Sequence, residues 1–596
     1  MVKIGPAFFD YVSKPESRRK FERTNLNFGE FKGLFPLVLL ILMMGVIVAR
    51  LFYLQMIRGS YYRDLSDNNR TRTKVIPAPR GIIYDRNGKP LVSNSQVFQI
   101  GSNGEEKIIP HEEALKLISE GKQVHGTVRR EYLYKDAFAH VLGFLGQISE
   151  NEVIFPTFSD YAISDYVGKM GLEKTYEKML HGQNGKELLE IDVQGREIRS
   201  LGEQEATQGQ NLDTTLDLDL QLSVKDALAS VDRGAVIASD PRDGSIIALY
   251  SKPSFDPNMF SRAGYKTDRY ETVENILQDT ENQPLLNRAI SGTYPPGSTF
   301  KLITAVAALS RGAIKKDTQI VDTGILRVGE FSFGNWYFLQ YGKTEGALNV
   351  VSAIKRSNDI FFYRAAEGAG VEKISSFAKD FGLGAKFGID LPGEEEGTVP
   401  SPSWKEEYIG EQWYLGDTYN YGIGQGYLLT TPLQVNVMTV VFANGGKLYQ
   451  PHLLKTPPSA EASGGKQNSK PKTQNFIKKE YIDLVREGMR QSCETGGVAW
   501  PLFDFKVKNE RLPVDNQDFI EEASGAARTV RIQVACKTGT AEIADKEKNP
   551  HAWITVFAPF YDPEIVLTVL VENGGEGSSV AGPIAKKILQ EYFERK

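Results

Sequence analysis

An apolar run over residues 33–57 constrains this chain before any other feature, because a stretch of that length cannot be left in water. It is interrupted only by Pro36 near its start and by Arg50 and Gln55 near its end. As a helix rising about 1.5 Å per residue it reaches roughly 37 Å, enough to cross a hydrocarbon layer of about 30 Å with some tilt. A core-packed surface helix would show polar residues at helical spacing, and none recur between Leu37 and Ala49. Arg50 can snorkel towards a headgroup region. A polar stretch precedes the run and no small-x-small site follows it, which predicts a retained anchor and not a cleaved signal. Charge does not orient the anchor. Lys14, Arg18, Arg19, Lys20, Arg23 and Lys32 lie before it, and Arg58, Arg63, Arg70, Arg72 and Lys74 crowd the other side.

At 596 residues the chain is long enough for several units, and 41% apolar residues can build a real core. A net charge of -5 lacks the basic footprint of a nucleic-acid binder, so none is expected as a partner. The histidines (111, 125, 140, 181, 452 and 551) include no i, i+4 pair, and no metal site is expected. Cys493 and Cys536 cannot make a disulfide framework; one structural bridge is open but unsupported by their spacing.

Residues 59–210 read as turns and short strands. Arg80-Gly81-Ile82-Ile83-Tyr84-Asp85-Arg86-Asn87-Gly88 followed by Pro90-Leu91-Val92 predicts a hairpin, since Asn-Gly tolerates positive φ at both central positions. In 171–180, Leu172, Tyr176, Met179 and Leu180 recur at helical spacing, predicting an amphipathic helix with its charged residues outside. Both read as scaffold. From about Thr215, β-rich runs at 234–240 and 245–251 flank Pro241-Arg242-Asp243-Gly244, and 551–559 and 564–573 repeat the arrangement. A helix is predicted over 583–593. Strand pairs at both ends with helices between predict an α+β fold, an antiparallel sheet flanked by helices. Residues 456–473, rich in Pro, Ser, Gly, Lys and Asn, predict a mobile loop.

A serine is a weak nucleophile unless a base lies within hydrogen-bond reach, and a lysine three residues on shares its helix face. Ser298-Thr299-Phe300-Lys301 has that spacing after Tyr294-Pro295-Pro296-Gly297. A Pro-Pro-Gly stretch cannot be helix interior, so the helix should begin at about Ser298, where free N–H groups and the dipole favour negative charge. Spacing alone decides nothing. Ser17/Lys20, Ser119/Lys122, Ser352/Lys355, Ser376/Lys379, Ser463/Lys466 and Ser469/Lys472 repeat it, and an N-cap serine beside a solvated lysine explains such a pair. Two further elements single out Ser298. Ser357-Asn358-Asp359 precedes the apolar Ile360-Phe361-Phe362-Tyr363, which sets the polar triplet at a core boundary. Lys537-Thr538-Gly539-Thr540 follows an alternating strand read over 530–536, and its Lys-Thr-Gly triplet occurs once. A cation there can hold a substrate carboxylate, and Gly539 would let a substrate backbone approach the strand edge.

In this order the three motifs resemble those of the penicilloyl-serine transferases, which include penicillin-binding proteins and class A β-lactamases. The anchor, the Arg80-Gly81…Asp85-Arg86-Asn87-Gly88 stretch and Gly171-Leu172-Glu173 are similar to the class B penicillin-binding proteins, which carry a non-catalytic pedestal. The resemblance implies a cytoplasmic tail (1–32), a transmembrane helix (33–57), a pedestal (58–212) and a transpeptidase domain (213–596) outside the cytoplasmic membrane. Gly416-Asp417-Thr418, Asn420, Ile423-Gly424-Gln425-Gly426, Thr431-Pro432-Leu433-Gln434, His551-Ala552-Trp553 and Val571-Glu572-Asn573-Gly574-Gly575 look like the elongation-type members; the division-specific relative is the alternative.

The implied activity is that of a serine-type D-Ala-D-Ala transpeptidase, and β-lactams would be covalent inhibitors. Ser298 would attack the stem peptide of peptidoglycan with Lys301 as base, Ser357 and Lys537 would relay the proton, and Asp359 completes the middle motif. Lys537, Thr538 and Thr540 would bind the donor carboxylate, and the N–H groups of Ser298 and Thr540 would hold the oxyanion. No metal or organic cofactor is implied. A RodA-like glycosyltransferase of the SEDS family is the implied partner, with cell-shape scaffold proteins beside it.

Three departures accompany the resemblance. Asp359 stands where much of the superfamily has Asn, as in elongation-type enzymes. The pedestal head between Ile100 and Arg130 is short, and the insertion 501–528 is placed to edge the cleft. Hydrolysis of β-lactams or D-Ala peptides would need a base for deacylating water, and none is identifiable. A catalytically idle sensor or scaffold fits poorly with intact motifs.

Overall fold

The computed structural model describes residues 34–596 except 101–106, 123, 154–160, 162–164, 193, 195, 262–264, 456–470, 475, 515–516, 523–527, 544 and 546. Most of the predicted loop 456–473 therefore lies outside the described residues. The chain divides into two compact units, one of residues 1–74 with 186–204 and one of 75–185 with 205–596.

In the first unit helix α1 (Leu34–Phe52) continues through a wider turn at Tyr53–Ile57, and a helix over Gly59–Arg70 follows. Residues 34–57 are long and apolar enough to cross a membrane, and the apolar window is not buried in protein. Strands Thr71–Ile76, Gly185–Ile191 and Glu197–Gln204 form a three-stranded sheet.

The second unit opens with the predicted hairpin, where Ile83 pairs with Val92. The Asp85 carboxylate accepts the N–H groups of Asn87 and Lys89, both at 2.8 Å, and Gly88 takes φ 79° to close the turn. The expectation for 171–180 fails in two respects. Helices Gly171–Thr175 and Glu177–Leu180 are separate, broken at Tyr176, and Glu173 and Glu177 face inward and are buried. Arg80 reaches both, at 2.6 Å each, and Arg130 reaches Glu173 at 2.7 Å. Helical periodicity places charges outside by default. Here two arginines distant in sequence make the inward carboxylates tolerable, and removing one partner of such a set typically costs about 3–5 kcal/mol.

Helix α2 (Leu218–Ala227) leads into the main sheet. Its strands are β1 (Gly234–Ser239), β2 (Ile246–Lys252), β3 (Ala535–Ala541), β4 (His551–Ala558) and β5 (Ile565–Val571), ordered β2-β1-β5-β4-β3 and antiparallel throughout. Successive side chains point to opposite faces. Ile237, Trp553 and Leu570 meet α3 (Lys301–Arg311) in one core, while Val236, Ile554 and Leu567 meet α9 (Ala581–Arg595) in another. With both faces covered, these strands read as continuous apolar runs and not as alternation. Between β2 and β3 lie α4 (Val350–Arg356), α5 (Asp359–Ala369), α6 (Leu415–Gly422), α7 (Pro432–Ala443, buried along its whole length) and α8 (Lys479–Ser492).

Near the third motif the structure corrects three readings. The strand read over 530–536 is two strands in different sheets, Thr529–Ile532 and β3, so Lys537-Thr538-Gly539-Thr540 lies inside β3 and does not follow a strand. The described residues of the insertion 501–528 do not line the cleft. Its strands Lys506–Lys508 and Phe519–Glu522 flank Thr529–Ile532, and Phe505, Val507 and Phe519 pack with α9 on the opposite side of the sheet. Cys493, at the end of α8, is joined in a disulfide to Cys536 of β3, Cα atoms 6.0 Å apart. Sequence spacing could not report this bridge, because the fold alone brings residues 43 apart together.

Candidate active site

The nucleophile turn is fixed from several sides. Gly297 takes φ 54°, a 3₁₀ turn runs over Gly297–Phe300, and α3 begins at Lys301. The predicted helix start is met, with one tight turn before the α-helix. The Gly297 N–H donates to the Gly424 carbonyl at 2.9 Å, and the Trp553 indole N–H donates to the Pro295 carbonyl at 3.1 Å. Tyr294 exchanges backbone bonds with Thr430, and its hydroxyl donates to Glu572 at 2.6 Å. The turn also abuts β3: a Cβ on Gly297 would lie 2.7 Å from the Thr540 carbonyl oxygen.

Gly539 plays a different part from the one expected. A Cβ there would lie 3.0 Å from the Pro296 carbonyl oxygen and 3.1 Å from a Thr299 methyl. What approaches Gly539 is the protein's own nucleophile turn. The missing side chain seats the first motif on the third.

Below the half-buried Ser298 lies a buried charge cluster. Lys301 Nζ donates to the Ser357 carbonyl (2.7 Å), to Asp359 Oδ1 (2.7 Å) and at 3.4 Å to Ser357 Oγ. Lys537 Nζ donates to Ser357 Oγ and to the Thr538 carbonyl, both at 2.8 Å. Both lysines are wholly buried. Ser357, capping α4, sits at φ 53° and ψ 35°, a left-handed conformation unfavourable for a residue with a Cβ. It turns the chain so that one serine meets both ammonium groups, a local cost of the kind stored at functional sites. Asn358 then caps α5 through the Phe361 N–H and places Asp359 in its first turn.

Burial lowers the pKa of Lys301, and the adjacent Asp359 carboxylate opposes that shift. Lys537 is pushed well below the ordinary lysine value, first by burial and then by the charge of Lys301, against the pull of Asp359. Two buried amines thus share one carboxylate and titrate as a unit holding fewer protons than two solvated lysines would. Such a cluster can supply a free amine as base.

Ser298, Ser357, Asp359, Thr538, Gly539 and Thr540 line a cleft of about 890 Å³. Sequence reasoning missed what orients Asp359. The Trp336 N–H donates to Oδ2 at 2.9 Å, and the Asp359 N–H donates to the Asn335 side chain at 3.0 Å, which in turn donates to Asp322. No motif spacing links 322, 335 and 359. Asn420, Ile423, Gln425 and Gly426, noted only as marks of a subtype, also line the cleft.

The geometry agrees with what known proteins show. Residues 234–590 match the penicillin binding protein transpeptidase domain, and 75–124 and 106–214 match the penicillin-binding protein dimerisation domain. The chain belongs to the penicillin-binding protein transpeptidase family. Among similar penicillin-binding proteins, the peptidoglycan D,D-transpeptidase MrdA of Haemophilus influenzae is 31% identical, over 94% of this chain and 90% of that protein. A penicillin-binding protein (PBP2) solved in complex with MreC from Helicobacter pylori has a TM-score of 0.72 at 28% identity, covering 88% of this chain and 99% of that one. A chain from a peptidoglycan synthase complex that coordinates polymerization and crosslinking has a TM-score of 0.71 at 27% identity, covering 95% and 99%.

Proposed function

We propose that Ser298 is the residue acylated by peptidoglycan, in a chain that acts as an elongation-type peptidoglycan D,D-transpeptidase. The observation that carries the assignment is the convergence of Lys301 and Lys537 on Ser357, with Asp359 bonded to Lys301, beneath the one Ser-x-x-Lys serine among the described residues that lines the cleft.

Ser298 Oγ attacks the carbonyl between the two terminal D-alanines of a donor stem peptide and passes its proton to neutral Lys301. The N–H groups of Ser298 and Thr540 hold the tetrahedral oxyanion, a preorganised arrangement worth several kcal/mol. The C–N bond breaks as the leaving amine takes a proton through the Ser357 hydroxyl, which Lys537 holds in place and Lys301 replenishes with the proton taken from Ser298, and D-alanine departs. An amine from a neighbouring stem attacks the ester and gives its proton through the same relay to Lys301, which returns it to Ser298 Oγ as the ester C–O bond breaks. Thr538 and Thr540 bind the donor carboxylate, the group a β-lactam mimics, while buried Lys537 holds the Ser357 hydroxyl and the Thr538 carbonyl in place.

In this reading residues 1–32 are a cytoplasmic tail, 33–57 the anchor, 58–212 the pedestal and 213–596 the catalytic domain outside the cytoplasmic membrane. A SEDS-family glycosyltransferase is its partner, as the similarity to a synthase complex chain supports, and the similarity to a protein solved with MreC supports a cell-shape scaffold partner. Labelling with a fluorescent penicillin tests the assignment: the native protein should label and Ser298→Ala should not, and equal labelling of both would refute it.

A further inference from the structure

Outside the catalytic cluster, one surface is built in a way the acyl-transfer steps do not require. Helix Pro402–Ile409 and the segment leading to α6 carry an aromatic platform. Trp404 stacks on Tyr408, ring centroids 5.6 Å apart at 22°, and meets Tyr427 at 5.6 Å. Tyr408 is 68% exposed and Tyr414 61%. Single exposed rings are ordinary on a protein surface, whereas a contiguous group of them marks a contact site.

The rings are held from beneath. Lys405 is buried, its ammonium 5.0 Å from the Tyr414 ring centroid and 5.5 Å from that of Tyr427. Asp417, at 2.8 Å, and Glu411, at 3.4 Å, anchor that charge. A cation fixed against aromatic faces sets their orientation before any ligand arrives.

The platform is continuous with the catalytic cleft. Tyr414 precedes α6, and Asn420 on the same helix lines the cleft. A Cβ on Gly416 would lie 3.2 Å from the ring of Phe333, itself a cleft residue. Exposed Glu406, Glu407 and Glu411 lie beside these residues in the chain, which disfavours an anionic ligand or an anionic lipid surface. Apolar ring faces bordered by hydrogen-bond acceptors suit a ligand with C–H faces and hydroxyl edges, which describes a pyranose sugar.

We propose that Trp404, Tyr408, Tyr414 and Tyr427 form a subsite for the glycan strand of peptidoglycan, holding the polymer while its stem peptide occupies the cleft. The proposal rests on the transpeptidase reading above. Stacking on the rings contributes affinity and registers the strand, and Lys405 is a positioning residue that keeps the platform in shape.

The test uses the full-length protein in detergent, with chitin oligosaccharides as the probe, uncharged β-1,4-linked pyranose strands without the lactyl carboxylates that peptide-free peptidoglycan exposes. Calorimetric binding is measured beside the acylation rate with a soluble penicillin, which is too small to bridge cleft and platform. Tyr408→Ala and Tyr414→Ala, both at exposed positions, should each weaken strand binding about tenfold or more and leave penicillin acylation unchanged. Native protein that does not bind strands, or variants that bind as tightly as native, would overturn the proposal and leave the platform to a protein partner. Variants that lose acylation in proportion to strand binding would also overturn it, as evidence of a general structural defect. Strand binding by a native protein that no penicillin acylates would instead break the transpeptidase reading.

Discussion

Asp359 divides its two oxygens between different tasks: Oδ1 meets the Lys301 ammonium and Oδ2 accepts the Trp336 N–H. Its charge is the main influence opposing the burial that lowers the Lys301 pKa. If neutral Lys301 is the base, acylation rises with pH as that amine loses its proton, so the acid limb of the rate profile follows its pKa. Asp359→Asn removes the opposing charge and should move the limb of penicillin acylation to lower pH; an unmoved limb would contradict the assigned base. Lys301→Ala should lower the acylation rate by roughly 10²–10⁴-fold, the usual contribution of a positioned acid–base group. Ser298, Lys301, Ser357, Asp359, Lys537, Thr538 and Thr540 were legible in the sequence because local spacing and order betray them. Asn335 and Trp336 were not, since their role exists only where a distant loop folds over the start of α5.

At the scale of elements, β3 bears the third motif and is tied to its neighbours by three different means. Its backbone pairs with β4, its Gly539 accepts the nucleophile turn, and Cys536 is bonded to Cys493 beside Lys537. The bridge typically contributes 2–4 kcal/mol and holds this edge strand against α8. Reduction, or the Cys493→Ser/Cys536→Ser pair, should lower the melting temperature and slow penicillin acylation. A melting shift with no change in acylation would limit the bridge to a global role. The strand pairs at both ends of the catalytic region were readable because β-rich runs flank obvious turns. The break at Gln533–Val534 was not, because neither residue marks a turn and the two strands part only in which sheet pairs with them. The inward Glu173 and Glu177 were hidden for a related reason: their arginine partners lie 43 residues or more away in the chain.

Across the whole molecule, the pedestal segment and the catalytic sheet share one compact unit, and His140 lies where they meet. It is buried against Phe255, its Nε2 2.8 Å from the Pro284 carbonyl, and burial lowers its pKa to about 4. In the unfolded chain the ring takes a proton near pH 6.5. The unfolded state therefore binds more protons between those values, and stability falls as pH drops from about 6.5 towards 4, by about 3 kcal/mol in full. Between pH 7.5 and 5.5 the native protein should lose about 1 kcal/mol more than His140→Gln; equal losses would show that this ring does not carry the dependence. The apolar helix over residues 34–57 was plain from composition, whereas a buried histidine between two regions is invisible until both are folded. The central claim concerns one atom, Ser298 Oγ, and the most direct measurement is peptide mapping by mass spectrometry after penicillin treatment. The penicilloyl mass should fall on the peptide bearing Ser298; finding it on Ser352 or Ser376, which share the Ser-x-x-Lys spacing, would contradict the account.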